Sequence, residues 1–214
     1  MRKNWKRDLG NHDFRVAIFG SARIKKNDEI YREINSLGRM LGERNIDIVT
    51  GGGPGLMAAA SSGHREGSKK TGAHAIALNI KLPIEQEFNP YSDVKTIFQR
   101  FSRRLDNFML LSNAVVVAPG GIGTLLEFFY TWQLVQVHHI CHIPIILLGD
   151  MWPGLIKWLE KKPLREKYFS AKDLHLLFLA KDGYEAMRVI DKAHEEFLKG
   201  KKDFCINYKE YRIK

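Results

Sequence analysis

The chain has 214 residues, of which 44% are hydrophobic and 27% charged, and its formal net charge at pH 7 is +10. This size and balance predict one folded globular domain rather than a disordered or fibrous chain. The sequence lacks an apolar run of about 20 residues, and its basic N-terminus lacks the apolar region of a signal peptide, so we expect a cytoplasmic protein without a membrane partner.

Short apolar runs alternate with amphipathic stretches, which is typical of a parallel sheet covered by helices on both faces. The predicted strands cover residues 15–19, 46–50, 73–78, 114–118, 143–148 and 174–179. The predicted helices cover residues 28–43, 54–67, 99–111, 123–137, 154–160 and 184–198. This order predicts an α/β fold, a single Rossmann-like, doubly wound parallel sheet flanked by helices.

Most of the excess positive charge lies at the ends of the chain. Residues 1–7 hold four basic and no acidic side chains, and residues 199–214 hold six basic and two acidic ones. We therefore expect a basic N-terminal tail (1–13), a Rossmann-like nucleotide-binding domain (14–198) and a basic C-terminal tail (199–214). Because no recognition-helix or RNA-binding motif accompanies the charge, the sequence does not favour a nucleic-acid partner.

Loops that follow strands carry the information about ligands, because doubly wound sheets bind them beyond the carboxyl ends of their strands. After the first predicted strand, Gly20 permits close backbone approach and Ser21 offers a hydroxyl group. After the second, three glycines lead into a helix opened by Pro54, whose unpaired N–H groups and positive dipole end fit an anion. These glycines are Gly51, Gly52 and Gly53.

A third loop, APGGIGTLLE over residues 118–127, joins an apolar strand to a helix. Thr124 begins the helix, where a phosphate can accept hydrogen bonds from backbone N–H groups and from the threonine hydroxyl. Glu127 follows on the same helical face, about 5 Å further along the axis. The glycines of this third loop are Gly120, Gly121 and Gly123.

A lone glycine-rich turn is as often a tight connection as a phosphate site, but two such loops at predicted strand ends favour phosphate binding. Neither loop has the G-x-G-x-x-G spacing of a dinucleotide fingerprint or the Gly-Lys-Ser/Thr of a Walker A loop. The spacing therefore favours a mononucleotide or a sugar phosphate.

The motif PGGIGTLLE resembles the PGGxGTxxE signature of the LOG family, named for the Lonely Guy phosphoribohydrolases. The similarity extends to VAIFGSAR, VTGGGPGLMAAA, LNIKLPIEQEFNPY, FSRRLDNFMLLSNA and TWQLVQ, in one order over residues 14–159. The LNIKLPIEQEFNPY segment resembles the bacterial branch that acts on purine or pyrimidine nucleotides. Many members carry an older label, "possible lysine decarboxylase".

The resemblance implies hydrolysis of the N-glycosidic bond of a nucleoside 5′-monophosphate, AMP-like or a cytokinin riboside monophosphate, to free base and ribose 5-phosphate without a cofactor. It identifies Arg104 and Glu127 as the essential catalytic pair. It puts phosphate and ribose among the glycines of the third loop and Thr124, with the second loop close by. It also implies a homodimer built on the helix after the third loop, whose segment LLEFFYTWQLVQV is apolar nearly all round.

These residue types suit the reaction. Breaking a ribosyl bond develops positive charge at the anomeric carbon, which the carboxylate of Glu127 can stabilise while it orients or deprotonates water. Arginine keeps its proton in proteins, so Arg104 is expected to orient Glu127 and to bind substrate oxygens. Two positions depart from many relatives, because Leu105 and Leu126 stand where a lysine follows the arginine and an acid precedes the glutamate.

Two alternatives stay open. A non-catalytic carrier of a nucleotide or of the molybdenum cofactor can share this fold. A lysine decarboxylase requires pyridoxal phosphate and a Schiff-base lysine, for which neither glycine loop has an obvious candidate.

The segment HHICH contains His138, His139, Cys141 and His142, but its spacing scatters the side chains on both sides of an extended segment, so we expect no metal site there. The chain has two cysteines, too few for a disulfide framework. We expect Cys141 and Cys205 to be free thiols.

Overall fold

The structure is a computed structural model that describes residues 14–81 and 87–200. Within these residues, seven strands form one parallel sheet in the order β4-β3-β2-β1-β5-β6-β7. The strands are β1 (Arg15–Phe19), β2 (Asp47–Thr50), β3 (Ala75–Ile80), β4 (Val94–Phe98), β5 (Ala114–Val117), β6 (Ile145–Leu148) and β7 (Leu177–Ala180). Strands β1, β2, β3, β5 and β6 are buried along their whole length, as expected for a sheet covered on both faces.

Helices cover both faces of the sheet, and each face has its own apolar core. The helices are α1 (Glu29–Glu43), α2 (Leu56–Gly67), α3 (Phe101–Leu111), α4 (Ile122–Gln136), α5 (Trp152–Leu159), α6 (Ala171–Leu174) and α7 (Gly183–Leu198). One core joins α1, α2 and α7 to the sheet, and the other joins α3, α4 and α5. The predicted doubly wound α/β architecture is therefore confirmed.

The chain reverses its direction of travel across the sheet at β1. Strands β2, β3 and β4 follow one another on one side of β1, whereas β5, β6 and β7 follow on the other. Loops that leave β1 and β5 consequently lead to opposite faces and open a crevice beyond the carboxyl ends of both strands. The loop after β1 contains Gly20 and Ser21, and the loop after β5 contains Gly120, Gly121 and Gly123.

Several predicted elements begin one to three residues away from their observed bounds, and the larger differences lie at the two edges of the sheet. Strand β4, which lies at the edge of the sheet, was not predicted, because its residues alternate between half-buried and exposed and so lack the continuous apolar run of the inner strands. At the other edge, β7 begins at Leu177 rather than at residue 174, because Leu174 ends the short helix α6.

The prediction of a free thiol is wrong at Cys141, which is disulfide-bonded. A count of cysteines could not reveal this pairing, because sequence separation carries no information on which thiols lie close in the fold. Cys205, residues 1–13 and most of the predicted C-terminal tail lie outside the described residues. Among the described helices, none is long and apolar enough to cross a membrane.

Candidate active site

A cavity of about 470 Å³ lies beyond the carboxyl ends of the strands at the crevice between β1 and β5. All three glycine loops contribute to its wall, together with the end of β3 and the first turns of α3 and α4. The predicted residues that line it are Gly20, Ser21, Gly51, Arg104, Gly121, Gly123, Thr124 and Glu127. Residues separated by more than a hundred positions in the sequence are thus brought together by the winding of the sheet.

The third loop presents the N-terminus of α4 to this cavity. Gly121 is the N-cap residue, and the backbone N–H of Leu125 donates to its carbonyl at 3.0 Å. The N–H groups of the first helical turn have no intrahelical acceptor. Because Ile122, Gly123 and Thr124 line the cavity, the positive end of the helix dipole lies at its wall. Methyl groups built at Gly121 and Gly123 would meet no atom within 4 Å, so the backbone is open there.

Gly120 does not line the cavity, although the third loop depends on it. A Cβ atom at this position would lie 2.1 Å from Oγ1 of Thr124. The glycine therefore lets the loop pack directly against Thr124, which is buried and lines the cavity. Its contribution is to the shape of the loop.

Arg104 and Glu127 form an ion pair in the wall of the cavity. The Nη2 atom of Arg104 donates to Oε1 of Glu127 at 2.8 Å, and its Nε atom donates to the carbonyl oxygen of Leu78 at 2.9 Å. The guanidinium carbon lies 5.2 Å from the centre of the Phe108 ring. Three contacts from β3, α3 and α4 thus fix the guanidinium plane, which in turn fixes one carboxylate oxygen.

Burial controls the ionisation of Glu127. Loss of hydration raises the pKa of its carboxyl group to about 7, although the charge of Arg104 and its hydrogen bond lower that pKa. The carboxyl group is therefore poised to change protonation near neutral pH, which is the range in which a general acid or base is most effective.

The second glycine loop divides its residues between two environments. Gly51 lines the cavity, where a Cβ atom would lie 2.8 Å from Nη2 of Arg104, so the glycine makes room for the guanidinium. Gly52 has a φ of +72° and accepts a hydrogen bond from the backbone N–H of Asn89 at 2.7 Å. The carbonyl of Gly53 accepts from the Asn89 side chain at 3.2 Å. Gly52 and Gly53 therefore hold the loop in place and do not line the cavity.

The first loop ties the two sides of the crevice together. The backbone N–H of Ser21 donates to the carbonyl of Pro119 at 3.1 Å, and the carbonyl of Ser21 accepts from the N–H of Leu56 at 2.9 Å. One residue thus connects the third glycine loop with the start of α2. The Ser21 hydroxyl accepts from the backbone N–H of Arg23 at 3.1 Å.

A family model described as "Possible lysine decarboxylase" matches residues 57–190, which is well over half of the chain. The chain belongs to this family, the LOG family. The resemblance drawn from PGGIGTLLE is therefore confirmed at the level of the family.

Three relatives of known name are similar to the chain in sequence. A pyrimidine/purine nucleotide 5′-monophosphate nucleosidase of Escherichia coli (strain K12) is 29% identical over 140 residues, which are 63% of this chain and 30% of that protein. The chain thus spans less than a third of that relative. A probable cytokinin riboside 5′-monophosphate phosphoribohydrolase of Oryza sativa subsp. japonica is 28% identical over 83% of this chain and 70% of that protein. A cytokinin riboside 5′-monophosphate phosphoribohydrolase of Arabidopsis thaliana is 25% identical over 86% of this chain and 83% of that protein.

Two solved structures share the fold at lower identity. The molybdenum cofactor binding protein of Rippkaea orientalis has a TM-score of 0.63 and 18% identity, covering 84% of this chain and 96% of that one. The molybdenum cofactor carrier protein of Chlamydomonas reinhardtii has a TM-score of 0.59 and 18% identity, and the match covers 86% of this chain and 99% of that one. At this identity the likeness concerns the fold alone.

The two departures from the LOG pattern lie away from the cavity. Leu105 is 6% exposed among apolar residues, so a leucine suits its buried position on α3. Leu126 is 45% exposed on the outer side of α4. Neither side chain lines the cavity, so the replacements leave the Arg104–Glu127 pair intact.

The sequence interpretation of this LOG site missed several residues that line the cavity: Ala22, Arg23, Met57, Asn79, Ile80, Phe101 and Ile122. All lie within or beside the segments that carry the family resemblance. Asn79 is the second-last residue of β3, near the carboxyl end at which doubly wound sheets bind ligands. Its side-chain oxygen accepts from the backbone N–H of Ile80 at 2.7 Å.

In the histidine-rich segment, the rings of His138 and His142 contact each other. Nε2 of His142 lies 2.9 Å from Nδ1 of His138, and the two rings stack with centroids 5.0 Å apart. In the parts of the chain that the structure describes, no three His, Cys, Asp or Glu side chains come together as a metal site.

Proposed function

We propose that the chain hydrolyses the N-glycosidic bond of a nucleoside 5′-monophosphate, releasing the free base and ribose 5-phosphate. One observation carries the proposal: a buried Arg104–Glu127 pair shares a single cavity with the open N-terminus of α4. An anion site and a carboxylate about one helical turn apart match the separation between the phosphate and the ribose of a nucleotide.

The phosphate is assigned to the third glycine loop. Backbone N–H groups of Gly123 and Thr124 and the Thr124 hydroxyl would bind its oxygens, and the dipole of α4 favours its negative charge. The open space above Gly121 and Gly123 allows the phosphate to approach the backbone closely. This step supplies binding energy and orients the ribose toward Glu127.

The bond that breaks joins the anomeric carbon of the ribose to a nitrogen of the base. As it breaks, positive charge develops on the sugar, which the Glu127 carboxylate stabilises electrostatically. The same carboxylate orients or deprotonates the water whose oxygen forms the new bond to the anomeric carbon. Arg104 holds Glu127 in place through the 2.8 Å hydrogen bond and keeps its own proton.

The reaction needs no Schiff-base chemistry. A lysine decarboxylase would need a lysine beside its cofactor, and no lysine is present among the described residues that line the cavity. Names of similar proteins, a nucleotide 5′-monophosphate nucleosidase and cytokinin riboside 5′-monophosphate phosphoribohydrolases, support the proposed class of substrate. The expected cytoplasmic location stays part of this proposal.

A homodimer through α4 is the second part of the proposal. The buried side of α4 packs Phe128 and Trp132 into the core. Its outer side exposes three large apolar side chains at positions i, i+4 and i+7: Ile122 (83% exposed), Leu126 (45%) and Phe129 (39%). Apolar residues at this spacing form one stripe, which a second copy of the chain would cover.

Turnover of a panel of nucleoside monophosphates tests the enzyme directly. We expect free base and ribose 5-phosphate from at least one purine or pyrimidine monophosphate, and no product from the matching nucleosides, which lack the phosphate. Tight retention of a nucleotide or of the molybdenum cofactor without turnover of any monophosphate would support a carrier instead.

A further inference from the structure

Arg23 lies in the wall of the candidate active site, in the loop that follows β1. We propose that Arg23 binds the phosphate group of the substrate, so that the cavity selects a dianionic phosphate ester over an uncharged nucleoside. The inference rests on the proposed function. It adds to the phosphate site of the third glycine loop a charged residue from a different loop.

The cavity wall contains two described arginines, which differ in their partners. Arg104 donates to Glu127 at 2.8 Å and to the carbonyl oxygen of Leu78 at 2.9 Å, so its positive charge is already compensated. Arg23 is exposed, and within the described residues its guanidinium has no hydrogen bond or ion pair. Since arginine keeps its proton in proteins, Arg23 presents an uncompensated positive charge to the cavity.

The charge balance of the cavity shows what this cation can do. A phosphate monoester carries a charge between about −1.5 and −2 at pH 7. The N-terminus of α4 contributes the equivalent of about +0.5, and the Arg104–Glu127 pair contributes little because its two charges oppose each other. Among the described residues that line the cavity, none is a lysine or a histidine. The remaining positive charge that a bound dianion requires is therefore that of Arg23.

Hydrogen bonds around Ser21 hold Arg23 close to the third glycine loop. The backbone N–H of Ser21 donates to the carbonyl of Pro119, the residue before Gly120, at 3.1 Å. The backbone N–H of Arg23 donates to the hydroxyl oxygen of Ser21 at 3.1 Å. Two residues span at most about 7 Å, so the Cα atom of Arg23 lies within that distance of the Cα atom of Ser21. The arginine is thus attached to the loop that is assigned to the phosphate.

The start of α2 fixes the same loop from its other side. The backbone N–H of Leu56 donates to the carbonyl of Ser21 at 2.9 Å. Gly55 has a φ of +65°, and a Cβ atom at this position would collide with the carbonyl oxygen of Ser21. The loop is therefore held in place before a ligand binds, so little backbone order is lost when Arg23 binds an anion.

The guanidinium of Arg23 and the third glycine loop offer different kinds of donor. Backbone N–H groups are neutral, whereas the guanidinium is charged and its planar fork of donors matches two oxygens of a phosphate group. The phosphate group does not react when the glycosidic bond breaks. We therefore expect Arg23 to bind the ground state and the transition state equally, which affects KM and leaves kcat unchanged.

Calorimetric titration of the full chain with ribose 5-phosphate tests the inference without requiring turnover. We expect Arg23→Gln to raise the Kd by about 10- to 100-fold, because a charge-assisted contact is lost. Arg23→Lys keeps the charge, so its Kd should lie between those of the native chain and Arg23→Gln. Lys26→Gln removes the same charge from an exposed position of the same loop that does not line the cavity. It is the matched control and should leave the Kd unchanged.

Three results would overturn the inference. These are an unchanged Kd in Arg23→Gln, an equal loss of affinity in Lys26→Gln, and a native chain that does not bind ribose 5-phosphate. Steady-state kinetics with a monophosphate add a further readout, since Arg23→Gln should raise KM without lowering kcat. A native chain that binds ribose 5-phosphate through Arg23 but releases no base from any monophosphate would support the phosphate site and overturn the proposed hydrolysis alone.

Discussion

Arg104 and Glu127 meet at 2.8 Å across the interface between α3 and α4, with only 12% and 11% of their side chains exposed. Burial of both charged groups costs hydration free energy that their mutual attraction can fail to repay, so a buried ion pair is weak evidence of a role in stability. Its position in the wall of an open cavity, beside a helix N-terminus, distinguishes it from the buried Arg15–Asp47 pair at the amino ends of β1 and β2.

Replacement of Glu127 tests the proposed chemistry. Glu127→Gln keeps the size of the side chain and an acceptor for Arg104 but removes the negative charge. We expect the rate of base release to fall by about 10²–10⁴-fold, because charge stabilisation and activation of water are both lost. Chromatographic assay of free base measures the rate, and calorimetric titration with the monophosphate measures binding.

The control is Glu160→Gln, which removes a carboxylate from an exposed position outside the cavity and should retain full activity. Unchanged base release in Glu127→Gln would contradict the assignment, provided that binding of the monophosphate is also unchanged.

The pH dependence of turnover should report the ionisation of Glu127. Because burial raises the pKa of this carboxyl to about 7, the reactive carboxylate form is depleted below neutral pH. We expect kcat/KM to fall about tenfold for each pH unit well below that pKa. In Arg104→Met the guanidinium no longer lowers the pKa of Glu127, so the midpoint should move to higher pH.

Arg104→Lys is the matched control, since it keeps a positive charge near the carboxylate. Its midpoint should lie closer to that of the native protein than the midpoint of Arg104→Met. A midpoint that stays in the ordinary range of exposed carboxylates in all three proteins would remove Glu127 from this role.

The same ionisation should appear in the free energy of unfolding. The pKa of Glu127 is about 7 in the folded chain, whereas the ordinary value of 4.5 applies to the unfolded chain. Between these pH values the folded chain therefore binds more protons than the unfolded chain. Folding stability therefore falls as pH rises through this window. Relative to Glu127→Gln, the native protein should lose about 1–3 kcal/mol between pH 4 and pH 8.

Urea denaturation of both proteins across this pH range measures the difference. The comparison cancels the contributions of the other titrating groups, which the two proteins share. A difference that is independent of pH would contradict a raised pKa for Glu127.

The sequence predicted every strand whose residues are buried on both faces, and it missed the edge strand β4, whose residues are not. Strands such as β1 and β5 are continuous apolar runs with a single interpretation, whereas the edge strand β4 depends on pairing with β3 and has no such run. The residues of the candidate site also divide into those that local sequence predicts and those that depend on contacts between distant elements. Glu127 could be anticipated from local spacing after the third loop, but the partner carbonyl of Leu78 could not, because it depends on how β3 meets α3.

Two glycines of the third loop should respond in opposite ways to alanine. A methyl group at Gly123 meets no atom within 4 Å, whereas one at Gly120 would lie 2.1 Å from Oγ1 of Thr124. We expect Gly123→Ala to keep its Tm but to raise KM for the monophosphate by about tenfold, because the methyl group occupies the phosphate site. Gly120→Ala should lose about 1–3 kcal/mol of stability.

Thermal unfolding and steady-state kinetics on both variants separate these effects. The inhibition constant for inorganic phosphate gives a further readout, and it should rise in Gly123→Ala. If Gly123→Ala bound phosphate and substrate as the native protein does, the third loop would not be the phosphate site.

The apolar stripe on α4 gives the last prediction. Leu126 and Phe129 are exposed by 45% and 39%, yet both belong to a helix whose other side packs in the core, so a charge on the stripe can weaken association without disturbing the fold. We expect Leu126→Glu to weaken the dimer by about 100-fold in Kd, measured by light scattering over a dilution series. Tyr184→Glu, at an exposed position of α7, is the control and should dimerise as the native chain does. A native chain that is monomeric throughout the series would contradict the interface, and an unchanged Kd in Leu126→Glu would move it to another surface.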